Sequence, residues 1–202
     1  MNNETYQILC FGDSITYGIG SPRNGWVDLL MQEYPDARIY PLGIPGENSS
    51  ELCMRMELEL VSRAHSKRRS VVTIAIGSND MRYYLDTESF YVALSEYRDN
   101  LITCIDICQK HQAIPLLITP PPIVAESINA LYPDQLYTEE NVDQYLQVLE
   151  AVSQGKDIPL IDVYHPLHDH KRSILTEDGL HPNTQGYVAM YGIIRLALAH
   201  YL

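Results

Sequence analysis

The chain has 202 residues, with 14 Lys and Arg against 26 Asp and Glu, a formal net charge of −12. Hydrophobic residues make up 46% and charged residues 20%, a globular composition that excludes disorder as the dominant state. The acidic balance argues against a nucleic-acid partner, because phosphate binding needs clustered Lys and Arg. The one basic run, Lys67 to Arg69, reads as a solvated helix end or turn. No run approaches the roughly 18 apolar residues of a membrane span. The polar start, Met1 to Gln7, lacks a basic region followed by an apolar signal core, so a cytoplasmic location is expected. The length suits one domain over residues 1–202. Homo-oligomerisation is left open.

Strand-like and helix-like segments alternate along the whole chain. Ile8 to Phe11 is a short apolar run closed by Gly12 and reads as a buried strand. A helical stretch with Trp26, Leu29 and Leu30 follows, then a strand from Arg38 to Leu42. Ser49 or Ser50 is the expected cap of a helix carrying Leu52, Met56, Leu60 and Val61. Ser70 to Ile76 is a charge-free strand of the kind that a parallel sheet covers on both faces. Helical spacing runs from Ser89 to His111, a fourth strand from Ile114 to Thr119, and a mixed apolar and aromatic segment from Ile123 to Tyr137. A helix from Glu139 to Val152 and a fifth strand from Pro159 to Val163 come next. A loop from Tyr164 to Asn183 and an amphipathic C-terminal helix from Thr184 complete the series. This alternation predicts an α/β fold, a three-layer α/β/α sandwich around a mostly parallel, doubly wound, five-stranded sheet. Sheets of this kind bind ligands beyond the carboxyl ends of their strands, at the switch point.

Four segments fall at those places. Gly12-Asp13-Ser14 follows the first strand, where Ser14 sits at a helix start with its N–H in the positive end of the dipole. Asp13 or Ser14 also reads as a plain helix cap. Gly43-Ile44-Pro45-Gly46 follows the second strand, and glycine there lets a backbone N–H approach a ligand closely; an ordinary turn has the same pattern. Gly77-Ser78-Asn79-Asp80 follows the third, where Asn79 supplies amide donors or closes an Asx-turn. Asp178-Gly179-Leu180-His181-Pro182 precedes the last helix. There a carboxylate three residues before an imidazole accepts from Nδ1–H and leaves Nε2 as a base; an exposed turn histidine is the plainer alternative. Together they supply a nucleophile, a base, an orienting carboxylate and oxyanion donors, the parts that acyl transfer through a serine requires.

From Gly12 to the final helix, these four ordered blocks resemble the SGNH or GDSL family of serine esterases and lipases. The resemblance implies a flavodoxin-like sheet order and a serine hydrolase cleaving acyl esters of a small alcohol, sugar or lysolipid. It implies Ser14, His181 and Asp178 as catalytic residues, and an oxyanion hole from Ser14, Gly46 and Asn79. Asp13 and Asp80 are expected in support. No cofactor and no metal are implied. One departure stands out: the second block usually carries Asn before its first glycine, and this chain reads Pro41-Leu42-Gly43. Absence of a G-x-S-x-G elbow disfavours an α/β-hydrolase. A carbohydrate or amide deacylase with the same residues, and a non-catalytic binder that kept the fold, are the alternatives.

Three further features need a place. His165, His168, Asp169 and His170 are close in sequence but match no metal-ligand spacing, and read as a solvated, capping loop. The segment Ile123 to Tyr137 lies at a strand tip, where specificity loops sit, and makes Leu131 and Tyr132 pocket candidates; packing on the core or a second subunit is the other reading. Arg82, Tyr83 and Tyr84 are similar candidates. Among four cysteines, Cys104 and Cys108 share a helix face and read as buried free thiols; no C-x-x-C occurs.

Overall fold

Strands with apolar side chains on both faces must be covered on both faces, and the chain does this by winding helices to either side of one parallel sheet. The computed structural model describes residues 5–65 and 67–202; residues 1–4 of the polar start lie outside the described residues. In chain order the elements are β1 (Tyr6–Gly12), α1 (Ser14–Tyr17), α2 (Trp26–Glu33), β2 (Arg38–Gly43), α3 (Ser49–Arg63), β3 (Arg69–Ala75), β4 (Tyr83–Tyr84), β5 (Ser89–Phe90), α4 (Leu94–Lys110), β6 (Ile114–Ile118), α5 (Ala125–Leu131), β7 (Gln135–Leu136), α6 (Glu139–Lys156), β8 (Leu160–Ile161), α7 (Tyr164–His168), α8 (Lys171–Ile174) and α9 (Thr184–Leu198). The main sheet is parallel in the order β2-β1-β3-β6-β8. Along β1, Ile8 and Cys10 enter one core with Trp26 and Leu30 of α2 and Tyr187 and Ile194 of α9. Leu9 and Phe11 enter the other, with Leu52 and Met56 of α3, Leu101 of α4 and Leu149 of α6. The result is the three-layer α/β/α sandwich.

The strand order reverses at β1, which β2 and β3 flank. Gly12 is level with Gly43 of β2 and Ala75 of β3. The segments carrying Ser14, Gly46 and Asn79 therefore leave the sheet side by side.

Local chemistry moves several expected boundaries. The α3 cap is Asn48, not Ser49 or Ser50: its side chain accepts from Glu51 N–H at 3.0 Å, and Glu51 accepts from Asn48 N–H at 3.1 Å. That reciprocal pair satisfies two end donors where a lone serine satisfies one. Helix α4 starts at Leu94, not Ser89, because Ser89–Phe90 instead pairs antiparallel with Tyr83–Tyr84. With β7 this makes a second, three-stranded sheet in the order β5-β4-β7. The mixed segment 123–137 holds α5 and β7, and the loop before α9 holds α7 and α8. Cys104 and Cys108 are buried, but the close thiol pair is Cys53 with Cys104, with Sγ atoms 3.2 Å apart between α3 and α4. No helix among the described residues is long and apolar enough to cross a membrane.

Glycine is required where β2 ends. A Cβ on Gly43 would lie 2.4 Å from the Tyr17 backbone nitrogen, whereas one on Gly155, inside α6, would meet nothing within 4 Å. Gly43→Ala is expected to cost about 1–3 kcal/mol in denaturant unfolding, through backbone displacement. Gly155→Ala is expected to add up to about 1 kcal/mol, through helix propensity.

Candidate active site

The first two residues after β1 divide the roles that the sequence left open. Asp13 is the cap of α1, its Oδ1 accepting from Ile15 N–H at 2.9 Å. Ser14 is then the first helical residue, with its hydroxyl at the wall of a cavity of about 430 Å3.

His181 comes to Ser14 from the other end of the chain. The loop between α8 and α9 closes on itself through a Leu175–Pro182 bridge and a bond from Thr176 N–H to the His181 carbonyl at 2.8 Å. Within it, Asp178 Oδ1 accepts from Leu180 N–H at 2.8 Å, His181 N–H at 3.0 Å and the Thr176 hydroxyl at 2.7 Å. This Asx-turn presents Oδ2 to His181 Nδ1 at 2.7 Å, and His181 Nε2 lies 2.8 Å from Ser14 Oγ. With Nδ1–H held by the carboxylate, Nε2 is free to accept the serine proton. Burial pushes the Asp178 carboxyl up, but the bonds from the imidazole, two backbone N–H groups and Thr176 prevail and bring it to about 2.

Gly46 and Asn79 line the same cavity. Gly46 adopts φ +82°, a left-handed conformation suited to glycine. The Asn79 amide donates to the Glu47 carbonyl at 2.9 Å, joining the second and third segments. Arg55, on α3, reaches back to the turn after β2. It donates to the Leu42 carbonyl at 2.7 Å and forks onto both carboxylate oxygens of Glu47 at 2.5 Å each. No sequence motif marks Arg55; only its position two turns into α3 brings it back to the turn.

Behind this wall lie buried carboxyl groups. Asp80 accepts from Ser49 N–H at 3.0 and 3.2 Å, at the amino end of α3, and burial still raises it to about 6. Burial raises Asp13 to about 7, with the charges of Asp80 and Glu47 adding to the effect. Burial likewise raises Glu47, against the pull of Arg55.

Of the pocket candidates, Arg82 and Tyr132 line the cavity; Tyr83 and Leu131 do not. Tyr83 packs edge-on against Phe90 within the small sheet, and Leu131 ends α5 with more than half its surface exposed. Ile128, Gln135 and Tyr137, from the same mixed segment, are in the lining instead. Their positions depend on where α5 ends and β7 pairs, which no local pattern announces. The segment serves both readings, since Ile128 and Tyr137 are also core residues.

The histidines after β8 stay apart from this cavity. His165 Nδ1 pairs with Asp162 at 2.9 Å, His168 lies 3.5 Å from Glu139, and His170 precedes α8 without a side-chain capping bond. No group of three His, Cys, Asp or Glu that could hold a metal occurs among the described residues.

The fold and this arrangement define a hydrolase of the GDSL type, and the comparisons agree. Residues 10–189 match the GDSL-like lipase/acylhydrolase family. The chain belongs to that family and is a carboxylic ester hydrolase. No functionally curated protein matches it. Its structure is similar to a lipase/acylhydrolase from Enterococcus faecalis, at 24% identity and TM-score 0.77, with 97% of this chain and 96% of that one covered. It is similar to a lipolytic G-D-S-L family member from Veillonella parvula, at 21% identity and TM-score 0.74, covering 98% and 100%. An acetylxylan esterase from Geobacillus stearothermophilus, at 20% identity and TM-score 0.72, covers 97% and 95%. At these identities the structural likenesses establish the fold.

The carboxyl groups give the protein a two-sided pH dependence. Asp13 and Asp80, raised from an ordinary 3.8 to about 7 and about 6, bind protons more tightly in the folded state. Their stabilisation is complete below the unfolded value and is lost as pH rises through 6 to 7. Asp178, lowered to about 2, acts oppositely: its stabilisation is present above 3.8 and lost as pH falls through 2. The denaturant midpoint is expected to rise between about pH 8 and about pH 5, and to rise less in Asp13→Asn.

Proposed function

We propose that the protein hydrolyses short acyl esters of a small hydroxylated alcohol such as a sugar, through an acyl-enzyme on Ser14. The observation that carries this is the unbroken chain from Ser14 Oγ to His181 Nε2 at 2.8 Å and from His181 Nδ1 to Asp178 at 2.7 Å. Ser14 Oγ attacks the ester carbonyl while His181 Nε2 takes the hydroxyl proton. Asp178 holds the imidazole in register and stabilises the imidazolium that forms. The carbonyl oxygen, now negative, is received by the N–H groups of Ser14 and Gly46 and the Asn79 amide. His181 returns the proton to the leaving alcohol as the C–O bond breaks. Water then adds to the acyl-enzyme with its proton going to His181, and the acid leaves as Ser14 regains its hydroxyl.

Cavity size and lining support the substrate class. About 430 Å3 suits a small ester, and Gln135 and Tyr132 offer hydroxyl-matching polar groups beside Ile128 and Leu180. An acetylxylan esterase among the solved relatives acts on acetylated sugar. The experiment is hydrolysis of p-nitrophenyl acetate, butyrate and octanoate, and of acetylated xylose, by the protein and by Ser14→Ala. Turnover that favours acetate and acetylated xylose and vanishes in the variant is expected. Octanoate preference would overturn the short-acyl reading, and turnover that survives in Ser14→Ala would overturn the nucleophile.

Two mutational outcomes follow from the mechanism. Ser14→Ala and His181→Ala are each expected to abolish nearly all turnover, with the double variant little worse, because the groups act as a unit. Asn79→Ala is expected to lower kcat by about 10²–10³ with a modest change in KM, the usual loss for one oxyanion donor.

A further inference from the structure

The Asn79 amide is clamped from two sides by groups of opposite hydrogen-bonding character. Its Nδ2 donates to the Glu47 carbonyl at 2.9 Å, and its Oδ1 accepts from Arg82 Nη2 at 2.9 Å. A carbonyl only accepts and a guanidinium only donates, so the amide has one satisfied orientation. In it, one Nδ2–H is spent on Glu47 and the other remains for the cavity that Asn79 lines.

Arg82 is itself held by aromatic residues. Its backbone N–H donates to the Asn79 carbonyl at 3.2 Å, and its carbonyl accepts from Tyr91 N–H at 2.7 Å. Its guanidinium lies 5.4 Å from the centre of the Tyr91 ring and reaches the hydroxyls of Tyr84 at 3.4 Å and Tyr137 at 3.5 Å. Tyr84 lies on β4, and Tyr91 and Tyr137 directly follow β5 and β7. The small antiparallel sheet thus assembles a tyrosine cage around one arginine, and that arginine ends on Asn79.

We propose that Arg82 is a positioning residue for ester hydrolysis, orienting and polarising the Asn79 amide so that its free N–H meets the oxyanion. This rests on the oxyanion role of Asn79 proposed above. A cationic donor on Oδ1 draws electron density from the amide nitrogen and strengthens its remaining N–H as a donor. Without it, Oδ1 loses its charged partner and the amide is held from one side only, by the Glu47 carbonyl. The competing role for a guanidinium at the cavity wall is direct contact with substrate.

A double-mutant cycle on p-nitrophenyl acetate separates the two roles, because this ester carries no anionic group for a guanidinium to bind. Arg82→Met is expected to lower kcat by about tenfold to a hundredfold, with KM changed by less than about twofold. In the Asn79→Ala background the same substitution is expected to cost less than about twofold, since the group it acts through is gone. Arg82→Lys, a milder change that keeps the charge but not the fork, carries the same cycle if the methionine variant does not fold. Losses that multiply, or an Arg82 effect confined to KM, would overturn the positioning role while leaving the oxyanion role of Asn79 intact. An Asn79→Ala enzyme of normal kcat would instead overturn the oxyanion reading, and this proposal with it.

Discussion

Parallel pairing of β1 with both β2 and β3 is the constraint on which the rest depends. A parallel ladder sets all three strands running the same way, and their register brings Gly12, Gly43 and Ala75 level. Everything that leaves those strand ends enters one crevice. Because the strand order reverses at β1, no crossover helix fills the space directly above it. Ser14, Gly46 and Asn79 are far apart in sequence and line one cavity for this reason.

His181 and Asp178 arrive by a different route. They come from a loop made rigid by its own hydrogen bonds, in which one carboxylate closes the turn with Oδ1 and orients the imidazole with Oδ2. Gly179, at φ +74°, packs with its ideal Cβ position 2.5 Å from the Val124 carbonyl, which docks the loop on the chain after β6. The histidine is therefore held by the loop and the loop by the sheet, so the 2.8 Å approach to Ser14 does not depend on an exposed, mobile side chain.

Ionisable groups taken out of water lie behind the segments that carry Gly46 and Asn79. Arg55 and Glu47 hold the turn after β2, and Asp80 holds the start of α3. Arg55 binds Glu47, Ser49 N–H binds Asp80 and Ile15 N–H binds Asp13, yet burial still pushes all three carboxyls upward. Such groups add little net stability, but they specify geometry, because removing either partner strands the other in a poor solvent. The turn after β2 is thereby tethered through the Leu42 carbonyl and the Glu47 carboxylate.

Much of this was legible in the sequence, for identifiable physical reasons. Charge-free runs of four to seven residues have few homes outside a doubly covered parallel sheet, so Ile8 to Phe11 and Ser70 to Ile76 announced the layers and, through the crossover rule, the winding. Ser14, Gly46, Asn79, Asp178 and His181 were legible because each sits at a strand tip or helix start, where topology places ligands. Local patterns fell short where pairing is non-local. Ser89–Phe90 joins a sheet through Tyr83–Tyr84, and Gln135–Leu136 joins it from beyond α4, β6 and α5. The lining by Ile128, Gln135 and Tyr137 in place of Leu131, the capture of the turn by Arg55, and the tyrosine cage of Arg82 all depend on contacts between residues distant in the chain. The sequence by itself determined the sheet, its layers and the reactive residue types, because these follow from periodicity and strand ends. Only the tertiary structure decided the walls of the cavity and the hold on Asn79, because side-chain direction across separate elements is set by packing that no single segment encodes.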